Sequence, residues 1–268
     1  MYLFKICMVS ISLILMTSQL SFARSIEEIK ASGVINVSVK ADYKPFGYKN
    51  DKGENVGLEI DLAKEVAEEL GVKPVFIEVS SKTRMGTLVD GNADLMIATM
   101  TDKPDRRKIV YAIEVPYYSS GTNILFSSSS TVKTWADIRG KTLCGTNGAY
   151  YNDFVVDTFG AKISISDSNG DSLKALKEGA CEGFVFDDSY ILSILAEKEW
   201  SEGFAMPLDT IDDAPWALAV RPGQQDMYDF MKEKVIAWHK SKRILSLEDK
   251  YGIKNSKYAL KMNALFSK

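Results

Sequence analysis

Apolar residues alternate with polar ones at Ile35, Val37 and Val39, the two-residue period of a half-buried strand. A loop follows, holding Tyr43 and the pair Pro45-Phe46. Over residues 61–70 the period changes. Leu62, Val66 and Leu70 recur every fourth position and Gly71 follows, which predicts an amphipathic helix stopped by glycine. Residues 75–79 read as a strand, and Met85, Leu88 and Val89 mark a short helix closed by Gly91. Residues 93–99 (ADLMIAT) are almost continuously apolar, as in a parallel strand covered on both faces. Thr101, Asp102 and Pro104 form a helix start. Past Gly121, strand candidates at 142–144, 163–165 and 183–186 alternate with helix candidates at 151–159, 172–178 and 189–197. Repeated βα units imply an α/β protein with mostly parallel sheets and flanking helices. Two extended segments, 117–126 (YYSSGTNILF) and 216–221 (WALAVR), lack an adjoining helix and are candidate crossings between two lobes. The last long helix, 225–240, carries Met227, Phe230, Met231, Val235 and Trp238 as a core-facing stripe.

The first 23 residues depart from this alternation. Lys5 precedes an apolar run at 6–16, and Ser21-Phe22-Ala23 supplies a small–x–small site, the layout of a cleavable secretory signal. The apolar run is too short to span a bilayer comfortably, and no later stretch reaches that length. The expected compartment is the periplasm. Arg24 and Ser25 occupy the place where a lipoprotein would need cysteine. Cys7 leaves with the signal, so Cys144 and Cys181 remain, either bridged or as two buried thiols. The remaining chain suits two lobes of roughly 120 residues each. An apolar fraction of 46 % makes it globular. Net charge is −3, and more acidic without Lys5, which argues against nucleic acid or an anionic membrane surface as partner. The one histidine, His239, has no Cys or His at metal spacing and reads as a surface or half-buried structural residue. No G-x-S-x-G elbow, phosphate loop or dinucleotide turn occurs, so neither catalysis nor a cofactor or metal is expected.

Three runs resemble the polar amino-acid periplasmic binding proteins of ABC transporters (extracellular solute-binding proteins, family 3). They are residues 51–70 (DKGENVGLEIDLAKEVAEEL), 81–106 (SKTRMGTLVDGNADLMIATMTDKPDR) and 116–118 (PYY), in family order and spacing. In detail they look closest to the aspartate/glutamate-binding branch. The resemblance implies a two-lobed type II fold closing around an amino acid, a membrane permease as partner, and a monomer. Its lobe boundaries would put residues 24–119 and 215–268 in lobe one and 120–214 in lobe two. Arg106 matches the clamp on the ligand α-carboxylate, a role suited to a planar fork of donors. Its place in the first turn of a helix would add free backbone N–H groups. Thr99 and Thr101 match hydroxyl positions, with Ser81 and Ala98 beside them, and Asp187 matches the partner of the α-ammonium. Arg84 and Lys40 match cations that approach a side-chain carboxylate in the acidic branch. Set against Asp187 alone, the three cations leave the site at a net positive charge that favours aspartate or glutamate. Gly148, Ala149 and Tyr150 stand where relatives carry Gly-Thr-Thr, and Tyr43 stands where the family often has an aromatic over the ligand. The alternatives are a neutral polar or sulfur-containing ligand, a secreted dehydratase on the same scaffold, and the extracellular part of a sensor.

Overall fold

A computed structural model describes residues 23–268; residues 1–22, nearly all of the expected signal, lie outside the described residues. Among the described residues no helix is long and apolar enough to cross a membrane.

Two mixed sheets organise the chain. In the first, Lys73–Glu78, Val34–Val39 and Leu95–Ile97 run parallel in that spatial order. Ala219–Val220 pairs antiparallel with Leu95–Ile97 and, on its other side, with Tyr111–Ala112, which runs in the same sense as the first three. In the second, Lys162–Ser166, Thr142–Thr146 and Gly183–Asp187 run parallel in the same second–first–third order. Tyr118–Ser127 pairs antiparallel beyond them and carries both Phe204–Ala205 and Ile211–Trp216. Each sheet thus has three neighbouring parallel strands and one reversed strand, Ala219–Val220 in the first and Tyr118–Ser127 in the second, each the strand by which the chain enters that sheet after crossing from the other. The two passing segments, Tyr118–Ser127 and Ile211–Trp216, are hydrogen-bonded to each other, with a register shift between Ile211 and Ala214.

Burial follows the apolar pattern. Ile35, Val37, Val39 and Leu95 are fully buried, and helix Leu58–Leu70 covers their sheet with Leu58, Leu62 and Val66. That helix begins three residues before the periodic stretch and ends at Gly71 in the left-handed conformation, as its glycine requires. Helices Tyr151–Phe159, Asn169–Lys177 and Asp188–Leu195 stand close to the predicted spans. In helix Gln225–Lys240 the expected stripe is buried except at Phe230, which is half-buried. Two further helices, Arg243–Lys250 and Lys257–Phe266, pack beside it. His239 is buried rather than at the surface. Its Nε2 lies 2.8 Å from the Pro116 carbonyl oxygen and its ring stacks on Phe266, which keeps it structural.

Cys144 and Cys181 form a disulfide, with Cα atoms 5.6 Å apart and a sequence separation of 37. It ties strand Thr142–Thr146 to the turn before its neighbour Gly183–Asp187. A cross-link of that span stabilises by about 2–4 kcal/mol, chiefly by restricting the unfolded chain. Replacing both cysteines by serine is expected to lower the melting temperature by roughly 5–15 °C in a calorimetric scan. An unchanged midpoint would show that the bridge contributes nothing.

Candidate functional site

In an open sheet of order second–first–third, the crevice at the carboxyl ends of the first and third strands is where ligands bind. Both sheets aim that crevice at one another. The carboxyl ends of Val34–Val39 and Leu95–Ile97 lead to Lys40 and Thr99, and those of Thr142–Thr146 and Gly183–Asp187 lead to Gly148 and Asp187. A small, partly enclosed space of about 10 Å³ lies between the lobes. Tyr43, Ser81, Arg84, Thr99 and Thr101 line it from the first lobe. Ala149, Tyr150, Tyr151, Phe186 and Asp187 line it from the second.

Thr99 holds a left-handed backbone, φ 48°, which costs a non-glycine residue about 1–3 kcal/mol. Two buried charges fix it there. Its N–H donates to Glu59 Oε1 at 2.8 Å, and its carbonyl accepts from Arg84 Nη1 at 2.8 Å. Arg84 Nη1 also reaches the Ala98 carbonyl at 2.7 Å, so Ala98 is a buried support for the arginine and does not line the cavity. Burial and the nearby Arg106 hold the Arg84 guanidinium down to about 10, still cationic near neutrality. Glu59, which also accepts from the Tyr117 hydroxyl, is pushed up to about 7 by burial against those hydrogen bonds. Lys40 is fully buried outside the cavity lining, with Nζ 2.9 Å from Asp42 Oδ1. Burial lowers its pKa, and Asp42 opposes that.

Across the cavity, Asp187 Oδ2 accepts from the Tyr43 hydroxyl at 2.6 Å and the Tyr151 hydroxyl at 3.0 Å. Burial outweighs both hydroxyls and pushes the carboxyl up to about 7. The Tyr43 ring packs among Phe46, Phe186, Tyr190 and Trp216, with its hydroxyl in the cavity. Arg106 is 6 % exposed and joins the lobes: Nη1 donates to the Thr101 carbonyl at 3.2 Å and Nη2 to the Gly148 carbonyl at 3.1 Å. Its helix, Pro104–Arg107, is a single turn with Arg106 near its end, so the expected contribution from a helix N-terminus is absent. Arg106 borders an open groove on the far side of residues 148–150, not the enclosed space.

Two cavity-lining residues carry buried polar atoms with no hydrogen-bond partner among the described residues, the cationic donor Arg84 Nε and the carboxyl oxygen Asp187 Oδ1. Unpartnered buried charge is costly, so the pair marks a site built for a ligand bearing both signs. The sequence pattern of the bacterial extracellular solute-binding proteins, family 3, matches residues 35–254. The chain belongs to this family. As a member it is a solute-binding protein of the kind that serves amino-acid ABC transporters, with the type II periplasmic binding fold. It is 28 % identical to the ABC transporter glutamine-binding protein GlnH of Bacillus subtilis over 202 residues, 73 % of this chain and 72 % of that protein. A solved structure of the P235GK mutant of ArgBP from T. maritima superposes with a TM-score of 0.78 at 27 % identity, covering 84 % of this chain and 98 % of that one. A cyclohexadienyl dehydratase of Pseudomonas aeruginosa is 31 % identical over 96 residues, 36 % of this chain and 35 % of that protein.

For this solute-binding protein the charge balance differs from the one its motif residues suggest. Lys40, Arg84 and Arg106 are matched in number by Asp42, Glu59 and Asp187, and the first two carboxylates are not among the candidate site residues. Glu59 adjoins Leu58 at the helix start, and nothing in the sequence pattern marks it. It is fully buried because its helix end tucks beneath Thr99. Tyr151 and Phe186 line the cavity as well, although the sequence marks them only as ends of a helix and a strand. The signal for both is their adjacency to Tyr150 and Asp187.

Proposed function

We propose that the protein captures a small neutral α-amino acid with a polar side chain for an uptake permease, as a binder and not an enzyme. What carries this reading is the pair of unpartnered buried atoms, Arg84 Nε and Asp187 Oδ1, in one lining. The ligand ammonium meets Asp187, replacing its proton. The α-carboxylate meets Thr101 and Thr99, with Ser81 alongside, and reaches the Arg106 fork at the groove edge by taking the place of the Thr101 and Gly148 carbonyls on it. Arg84 meets a neutral acceptor at the end of the side chain, such as an amide oxygen. With three buried or half-buried carboxylates beside three cations, a neutral zwitterion leaves no charge stranded. The glutamine-binding relative supports the same class. Lobe one would comprise residues 24–119 and 215–268, and lobe two residues 120–214.

One observation favours an acidic ligand instead: Arg84 lines the cavity and has no ion-pair partner among the described residues. Calorimetric titration with glutamine, asparagine, glutamate and aspartate at one salt concentration separates the two. The expected order places an amide at least about tenfold tighter than its acid. Tighter binding of the acid would replace the neutral reading with the acidic one. Turnover of any ligand would overturn the binder.

A further inference from the structure

Glu59 is a fully buried carboxylate that the ligand contacts above do not use. It is the second residue of helix Leu58–Leu70, whose start is pressed against the loop after Tyr43. The Leu58 and Glu59 N–H groups donate to the Pro45 and Phe46 carbonyls at 3.0 and 2.9 Å. Gly57 leaves no space there, since a Cβ would stand 2.2 Å from the Phe46 carbonyl oxygen. Glu59 thus lies behind the cavity wall that Thr99 forms. Its Oε1 accepts from the Thr99 N–H and the Tyr117 hydroxyl, while Oε2 is buried with no hydrogen-bond partner among the described residues. Arg84 grips the carbonyl of the same residue, so an anion and a cation hold Thr99 by its two backbone ends. The first turn of a helix favours an ionised carboxylate. Of the two cations near Glu59, Lys40 already has Asp42 against its ammonium. Arg84 is the one whose charge faces both Glu59 and the cavity.

We propose that Glu59 is a specificity-determining residue, whose charge behind the cavity wall makes the Arg84 end of the site reject an acidic side chain. This deepens the amino-acid reading above and rests on its placing of the side-chain end at Arg84. An amide oxygen accepts from Arg84 Nε and brings no charge. A carboxylate in its place gathers two anions, its own and Glu59, about one guanidinium, and like charges brought together in a buried site are costly. Neither protein group is free to turn away. Arg84 is fixed by the Ala98 and Thr99 carbonyls, and Glu59 by the Thr99 N–H and the Tyr117 hydroxyl. The groups that face Glu59 are Arg84, Lys40 and Tyr117, each from a different segment of the first lobe. Asp187, across the cavity, is also pushed up to about 7, but it meets the ammonium of acid and amide alike. It therefore cancels from the ratio of their affinities.

The experiment uses the full mature chain as wild type and Glu59→Gln, a change that keeps an acceptor for Thr99 and Tyr117 and removes the charge. Each is titrated calorimetrically with glutamine, glutamate, asparagine and aspartate at one salt concentration, at about pH 6 and about pH 8. The ratio of acid to amide dissociation constants should fall at least about tenfold in Glu59→Gln at the higher pH. In the wild type that ratio should rise with pH, as Glu59, pushed up to about 7 by burial, loses its proton. Glu59→Gln should show no such rise. A merely structural Glu59 would weaken acid and amide alike, so an unchanged ratio, or an equal rise in both proteins, overturns the proposal. A wild type that prefers the acid removes the neutral reading, yet a further gain for the acid in Glu59→Gln still supports Glu59 as the discriminator. If Glu59→Gln binds nothing, the wild-type profile decides: a rising ratio supports the proposal and a flat one overturns it. If the wild type binds none of the four, the reading and the proposal fall together.

Discussion

Arg106→Ala is expected to abolish measurable binding of every amino acid that the wild type accepts. The guanidinium is almost fully buried between the lobes, and its hydrogen bonds to the Thr101 and Gly148 carbonyls hold its fork in place. Every α-amino acid brings a carboxylate to that fork, so the loss does not depend on the side chain. Removing one member of a desolvated charge pair costs about 2–5 kcal/mol. That corresponds to roughly thirty-fold to several thousand-fold in dissociation constant. Arg106→Lys should recover part of the loss, because an ammonium supplies the charge without the planar pair of donors. Calorimetry on the three proteins reads the effect. If Arg106→Ala binds within about threefold of wild type, the α-carboxylate lies elsewhere.

Gly148→Ala should weaken binding as strongly without removing any ligand contact. Gly148 has φ 81°, a region L side chains rarely adopt, and a Cβ there would stand 2.6 Å from the Lys82 backbone nitrogen. The residue struck belongs to the other lobe, and it is backbone, so nothing can rotate away. Adding one methyl therefore opposes the arrangement in which the lobes meet, beside the backbone strain it adds within its own lobe. A ligand that contacts both lobes must then supply the difference between the two arrangements. A shift of about 3 kcal/mol in that equilibrium appears as roughly a hundred-fold loss of affinity. Small-angle scattering at saturating ligand should show compaction for wild type and little for the variant. Full compaction with native affinity would mean that the Gly148 contact does not limit closure.

The α/β alternation was legible because it depends on short-range periodicity. Ile35, Val37 and Val39 announced a strand, and Leu62, Val66 and Leu70 a helix, and both stand close to where the pattern put them. The site was legible where the chemistry of a residue type suits a single role. Arg84, Thr99 and Asp187 line one cavity, although they come from three distant segments. What the pattern hid were pairings across space. Asp42 lies two residues from Lys40 in a short hairpin, Asp42–Tyr43 against Gly47–Lys49, which reads as loop in sequence. Glu59 looks like any acidic residue of a first helical turn until Thr99 is folded over it. Those two carboxylates alter the electrical balance of the site and with it the proposed ligand class. A count confined to the candidate site residues could not include them.

Strand Ala219–Val220 lies inside the first sheet, between Leu95–Ile97 and Tyr111–Ala112, although the whole second sheet separates it from both in the chain. During synthesis, therefore, the sheet that begins first is finished last. Tyr111–Ala112 has no hydrogen-bonded neighbour in that sheet until residues 219–220 emerge, while every strand of the second sheet has already been made by residue 216. The order of assembly that this connectivity favours runs against the order of translation: the inserted unit matures early on local contacts, and the N-terminal unit waits for a late, long-range closure.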